Sequence, residues 1–272
     1  MRSRFFLALA LMSLPAMAAC QPKGDDSRAA ATAKPAATTA TAAPTMVASA
    51  GTSGAAAMHA STSGTATQSS TEPKGNGNLL QLKRPAYDKK NVNWKFGVQD
   101  PGTARFDAKK DYFATIHTTL GDVTVKFYPE VAPHHVTAFI NLSELGYYDD
   151  APFHRIIPGF MMQGGDPSGQ GNAGPMYHLG QEFSVRKHVR GTLSMARVGR
   201  DLPGVKAVDS AGSQFYICFR PAPSLDGQYT VFGEVVKGLD VVDKFEAIGS
   251  GGGRPSKIEK ITSVEVSARD KT

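Results

Sequence analysis

The sequence predicts a mainly β domain: an antiparallel sheet that must close or pack on itself, with only two helices, at the end of a long tether. Three observations predict it. Short runs alternating apolar and polar residues recur from Asp111 onward: "YFATIHTT", "DVTVKFY", "FHRII", "GTLSMA", "SQFYICF", "YTVFGEV" and "KITSVEV". Only "APHHVTAFINLSELG" and "GLDVVDKFEAI" read as helices. With so little helix to cover them, these strands leave edges that only closure or packing hides.

The chain has 272 residues, and its N-terminal part is not core-forming. Met1 to Cys20, "MRSRFFLALALMSLPAMAAC", has Arg2 and Arg4, an apolar run too short to span a bilayer, and then small residues. This is an export signal over residues 1–19. Its end, "MAAC", resembles a bacterial lipobox, which implies a lipid on Cys20, with Met17 where leucine is commonest. The alternative, cleavage after Ala18, gives a soluble periplasmic or secreted chain. Acylation of Cys20 leaves Cys218 as the only thiol, so neither an intramolecular disulfide nor a Cys-rich metal site is expected. Cys218, in an apolar run, reads as a small buried side chain. The formal charge of +6 drops by two to +4 when Arg2 and Arg4 leave. That surface is mildly basic without a clustered stripe, so nucleic acid is not an expected partner.

Residues 20–78 are mostly Ala, Thr, Ser and Gly and bury too little apolar surface to offset ordering, which reads as a flexible tether with a span of roughly 40 Å. Residues 79–110 hold the only tryptophan, Trp94, among Pro85, Gly97, Pro101 and Gly102. The sequence leaves open whether this lead-in packs on the domain or stays loose. The domain proper is read as 111–272.

Within it, the first two runs form a hairpin around Leu120-Gly121. The first helix opens at Pro133, places Val136, Phe139 and Ile140 on one face, and ends before Gly146. Its adjacent His134 and His135 cannot face one metal from a helix, and they read as solvated. "GQGNAG", Gly169 to Gly174, is a literal G-x-G-x-x-G, but Pro175 follows and no helix opens, so it reads as a surface loop. "GSGGGRP", Gly249 to Pro255, lacks the ending of a phosphate loop. No nucleophile elbow or paired-carboxylate signature appears, which leaves covalent and hydrolytic chemistry without support.

One stretch resists a purely structural reading. "FHRIIPGFMMQGGDP", Phe153 to Pro167, is apolar enough for a buried strand, yet it carries His154, Arg155 and Gln163. It closely resembles the signature of cyclophilins, the peptidyl-prolyl cis/trans isomerases, and "GTLSMAR", "AGSQFYI" and "LDGQYTVFGEV" follow in that family's order. The resemblance runs from about Tyr112 to Ala268. It implies a closed eight-stranded antiparallel barrel capped by two helices, isomerisation of X-Pro bonds, and no cofactor or metal.

The residues fit that chemistry on physical grounds. Rotation about a peptide bond faces a barrier of about 18–20 kcal/mol because of resonance, and no bond need break to lower it. An apolar pocket for the proline ring, polar groups for the flanking backbone and a donor favouring the twisted state suffice. The resemblance implies that Arg155 is catalytic, that Phe160, Met161 and Leu225 line the pocket, and that Gln163 contacts the substrate backbone. It places His154 beside the site, and Ala196, Arg197, Gln214, Tyr216 and Tyr229 along the groove. Tyr216 stands where phenylalanine is usual, adding a hydroxyl to the pocket. Ser224 stands where cyclosporin-sensitive members carry a tryptophan, and Tyr229 where many members carry a histidine, which implies weak cyclosporin binding. The segment Val198 to Ala211 is longer than the family's usual one.

The expected function is an envelope-anchored isomerase acting on exported polypeptides, with proline-containing chains as partners, a membrane contact through Cys20 and a monomeric state. Gln21 after Cys20 favours outer-membrane over inner-membrane sorting. One alternative is a non-catalytic proline-peptide-binding chaperone or adaptor; another is a scaffold whose Trp94 segment binds a partner.

Overall fold

A computed structural model describes residues 78–272. The expected export signal, Cys20 and almost all of the expected tether lie outside the described residues.

Eight strands form one sheet: β1 (Lys110–Thr118), β2 (Gly121–Phe127), β3 (Arg155–Ile157), β4 (Met161–Gly164), β5 (Thr192–Met195), β6 (Phe215–Cys218), β7 (Val231–Lys237) and β8 (Ile261–Asp270). Every pairing is antiparallel, in the order β3-β4-β6-β5-β7-β2-β1-β8. The two edges are joined just before β3 and β8. Pro152 bridges to Lys260, and Phe153 and Ile261 donate backbone hydrogen bonds to the carbonyls of Glu259 and Ala151 at 3.0 and 2.9 Å. The short β3 also gains cover from the loop Gly249 to Pro255. Ile156 N–H donates to Gly253 O at 2.7 Å, and Ser250 N–H donates to Ile156 O at 3.1 Å. Both contacts use groups that an open edge would expose.

Two helices pack on the sheet, α1 (Pro133–Glu144) and α2 (Leu239–Ala247). Alternate residues of the strands point inward to a core dominated by aromatic rings, among them Phe127, Phe139, Phe153, Phe215, Phe232 and Phe245, all essentially inaccessible to solvent. Each such ring contributes roughly 1.5–3 kcal/mol of burial. β4 is the strand not read as separate in the sequence: the run from Phe153 to Pro167 breaks at a turn over Pro158–Phe160 into β3 and β4.

Residues 79–110 pack along the domain. Val98 is fully buried, and Leu79, Leu80, Tyr87, Trp94 and Phe106 lie against the main core. Arg84 pairs with Glu144 and donates to Asn141 Oδ1 at 2.7 Å, while Ala104 N–H donates to Thr137 Oγ1 at 3.0 Å, which fastens the segment across α1. Trp94 meets Tyr147 edge-on at 6.2 Å and lies 6.1 Å from Tyr87, so its ring is engaged within the domain.

The N-terminus of α1 corrects the expectation of solvated histidines. Ala132 supplies no side-chain cap. Instead Glu182, far along the chain, accepts from His134 N–H and His135 N–H at 3.0 Å each and from His135 Nδ1 at 2.6 Å. His135 is therefore fully buried, and His134 pairs with Asp100 at 2.8 Å. Burial alone would raise the Glu182 carboxyl, but the hydrogen bonds from His135 and His134 outweigh it and hold Glu182 below its ordinary value. The anion also complements the helix dipole. Glu182→Ala is expected to lower stability by about 2 kcal/mol, through loss of the cap and of a buried imidazole partner. Urea denaturation of the variant measures this, and an unchanged midpoint contradicts the capping role.

Candidate active site

The site grows from a register. Arg155 in β3 pairs with Gln163 in β4, Gln163 with Tyr216 in β6, and Tyr216 with Ser194 in β5. Because side chains alternate across a strand, these four share one face. One step along, Ile157, Met161 and Cys218 form a second row on that face. Their sequence neighbours Ile156, Met162, Ile217 and Phe215 point the other way into the main core.

The outward face carries an apolar cluster of its own, apart from the core. Met161, Tyr216 and Cys218 are buried in it, and Ile157, Phe160, Ala196, Leu225 and Tyr229 pack around them. Cys218 is the buried thiol the sequence suggests, with burial pushing its pKa up to about 12.

Arg155 stands at the margin of this cluster. Its Cζ lies 6.0 Å from the Phe160 ring centre, and its Nη1 makes only long contacts, 3.4 Å to Gln163 Oε1 and 3.8 Å to Met161 Sδ. Among the described residues no carboxylate pairs with it. Partial burial lowers its pKa, opposed by Tyr229, and the group stays a cation at neutral pH. Its stem runs past Gly253, where an added Cβ would sit 3.3 Å from Arg155 Cγ.

Gln163 is held in turn. Its Nε2 donates to Gln214 Oε1 at 2.9 Å, and Gln214 Nε2 donates to Ala173 O at 2.9 Å. Ala173 belongs to the glycine-rich loop, whose order comes from the buried Asp166. That carboxylate accepts from Ser168 N–H and Oγ–H at 2.6 and 2.8 Å, and from Asn172 and Ala173 N–H at 2.8 and 3.2 Å. Burial alone would raise Asp166, but the bonds from Ser168 and Ala173 prevail and lower it. Two amides of "GQGNAG" are thus already committed to an internal anion, which explains physically why the loop is not a dinucleotide cradle. The paired glycines ending the stretch are steric: at Gly165, with φ +84°, a Cβ would sit 2.4 Å from Ser213 O.

His154 does not join the apolar cluster. Its ring nitrogens are buried without a well-formed hydrogen bond, and its ring edge lies about where a Cβ on Gly171 would meet it, at 3.2 Å. Tyr216 also departs from expectation. Its hydroxyl does not open into the pocket; it meets buried His188 Nε2 at 3.1 Å, with the two rings nearly parallel at 6.1 Å.

His188 is the site residue that sequence reasoning missed. Its Nδ1 and backbone N–H contact Asp226 Oδ1 at 3.0 and 2.8 Å, and its carbonyl accepts from Ala222 N–H at 2.9 Å. It therefore fixes the Ala222–Tyr229 turn, which brings Leu225 and Tyr229 to the cluster. Tyr229 meets Tyr216 edge-on at 5.9 Å, and Arg197 stacks on Tyr229 with Cζ 4.4 Å from the ring centre. The only sequence signal for His188 is a lone histidine upstream of "GTLSMA".

Comparison with known proteins decides the family. The model described as "Cyclophilin type peptidyl-prolyl cis-trans isomerase/CLD" matches residues 113–266. The chain belongs to the cyclophilin family. A peptidyl-prolyl cis-trans isomerase of Synechococcus elongatus is 45% identical over 121 residues, 44% of this chain and 78% of that protein. One from Dictyostelium discoideum is 41% identical over 159 residues, 57% of this chain and 96% of that cyclophilin. The isomerase-like 2 protein of Gibberella zeae is 43% identical over 145 residues, 52% of this chain. The match spans only 24% of that protein and 28% of its Cryptococcus neoformans counterpart, about a quarter of their length. The crystal structure of a Cryptosporidium parvum cyclophilin aligns with TM-score 0.52 and 29% identity, covering 58% of this chain and 98% of that cyclophilin.

Burial pushes His154 and His188 below the ordinary imidazole pKa. Asp166 opposes this for His154 and Asp226 for His188, while Arg155 adds to it for His154. Both groups bind protons more readily in the unfolded chain. Their stabilisation is therefore complete above about pH 6.5 and is lost as pH falls below it. The urea midpoint is expected to drop between about pH 7.5 and 5.5; a midpoint that rose on acidification would contradict the burial of these rings as neutral groups.

Proposed function

We propose that the chain is a peptidyl-prolyl cis/trans isomerase that accelerates rotation about X-Pro bonds without a covalent intermediate or cofactor. The observation that carries this is an arginine without a carboxylate partner among the described residues, fixed by strand register at the lip of an apolar cluster. Its contacts with Gln163 and Met161 are long, which leaves the guanidinium free to meet a ligand.

The geometry gives each group a task. Phe160, Met161, Leu225, Tyr216 and Tyr229 offer an apolar seat for a proline ring. Gln163, held by Gln214, presents an amide to the flanking backbone. Arg155 keeps guanidinium donors for the prolyl nitrogen, whose lone pair becomes an acceptor only as the bond twists and resonance is lost. The hydrogen bond therefore forms best in the twisted state, which is the condition for lowering a barrier and not merely holding a substrate. The isomerase names of the relatives support the same reading.

The setting belongs to the same proposal. The signal over residues 1–19 and Cys20 in a lipobox-like context support a lipid-anchored position in a bacterial envelope, facing the periplasm, with exported polypeptides as substrates.

The test is the cis/trans exchange rate of a short X-Pro peptide with the parent protein and with Arg155→Ala. The parent is expected to be fast and the variant slower by roughly 100-fold or more, as for loss of one preorganised donor. A folded parent no faster than buffer would replace the enzyme with a proline-peptide-binding module.

A further inference from the structure

Next to the apolar cluster lies a cavity of about 800 Å³. Gln163, Gln214 and Ala196 line it, and Ala196 also packs against the Met161–Tyr216 cluster, so the two concavities share a wall. Arg197 and, from the long segment Val198 to Ala211 after it, Val198, Gly199, Arg200, Leu202 and Ser210 also line it.

Its charge is one-sided. Arg197 and Arg200 line the cavity, and among the described residues no aspartate or glutamate does. The two acids of the segment are hydrogen-bonded to backbone: Asp201 Oδ1 accepts from Ala207 N–H at 2.7 Å, and Asp209 Oδ1 accepts from Gln181 N–H at 3.1 Å. Neither Arg197 nor Arg200 pairs with a carboxylate among the described residues, whereas Arg84, Arg186, Arg190 and Arg220 all do. Arg197 is also preorganised. It stacks on Tyr229, donates Nε to Gln228 O and Nη1 to Val198 O at 3.2 Å each, and makes no such bond through Nη2.

We propose that this cavity binds a carboxylate side chain of the substrate, making the protein selective for proline segments with a nearby aspartate or glutamate. The proposal rests on the proline-peptide reading of the adjoining cluster. An extended chain advances about 3.3–3.6 Å per residue, so across a shared wall the acidic residue falls within about three positions of the proline. Arg197 is half-buried and Arg200 exposed, so a carboxylate held between their guanidinium donors in the concavity gains a modest, salt-sensitive charge-assisted bond.

The experiment uses the full chain and sets of fluorescent X-Pro peptides that differ only by Glu, Gln or Lys at each of those positions on either side. Affinity by anisotropy and exchange rate are both measured, at low and high salt. At one position the Glu peptide is expected to bind roughly three- to tenfold better than Gln, with Lys worse than either. The preference shrinks with salt and falls toward unity in Arg200→Gln and in Arg197→Gln. Equal affinity for Glu and Gln at every position overturns the proposal, as does a Glu preference that survives both substitutions. If no peptide is isomerised but the affinity ratios hold, the isomerase reading fails and the acidic subsite stands; if none binds, both fail.

Discussion

A single cross-strand register holds the site together. Arg155, Gln163, Tyr216 and Ser194 fall in one row across β3, β4, β6 and β5 because those strands pair as they do. A slip of one residue in β4 would send Gln163 into the core and bring Met162 outward. That slip is blocked from the inside: Ile156, Met162, Phe215 and Ile217 are all fully buried, and none has room on the other face. Core packing thus sets the orientation of the reactive face without touching it.

What the register cannot supply, loops supply by hydrogen bonding. Asp166 gathers the amides of the glycine loop so that Ala173 O can hold Gln214, and Gln214 holds Gln163. His188 ties the turn carrying Leu225 and Tyr229 to the ring of Tyr216. Both devices bury an ionisable or polar group and satisfy most of its bonding, which is the condition for such a group to rigidify and not destabilise. The result is a preorganised pocket beside an arginine that no acid among the described residues neutralises.

Much of this was readable in the sequence because it is periodic or local. Alternating runs marked most strands, and Pro133 and Gly146 bracketed the first helix. The four ordered motifs located Arg155, Phe160, Met161, Gln163, Gln214, Tyr216, Leu225 and Tyr229, all of which the fold gathers on or beside one face. The unread parts share one cause, long-range pairing of polar side chains. Glu182 caps a helix that begins at Pro133, and Asp226 meets His188, with no periodicity to announce either contact. The same cause made His135 look solvated and turned the Tyr216 hydroxyl toward a partner the sequence did not suggest. β4 went unseen as a separate strand because a short apolar run does not show its own turn. The packing of residues 79–110 depended on contacts with α1 that composition does not encode.

The central claim is that a proline ring seats on the outward face of β4 and β6, next to Arg155. Residue-resolved NMR titration of the protein with an X-Pro peptide, and with the same peptide carrying alanine in place of proline, tests it most directly. The account predicts perturbations concentrated at Phe160, Met161, Gln163, Tyr216 and Tyr229 for the proline peptide and largely absent for the alanine peptide, with Trp94 unaffected. Perturbations centred on Trp94, or equal for the two peptides, would contradict it.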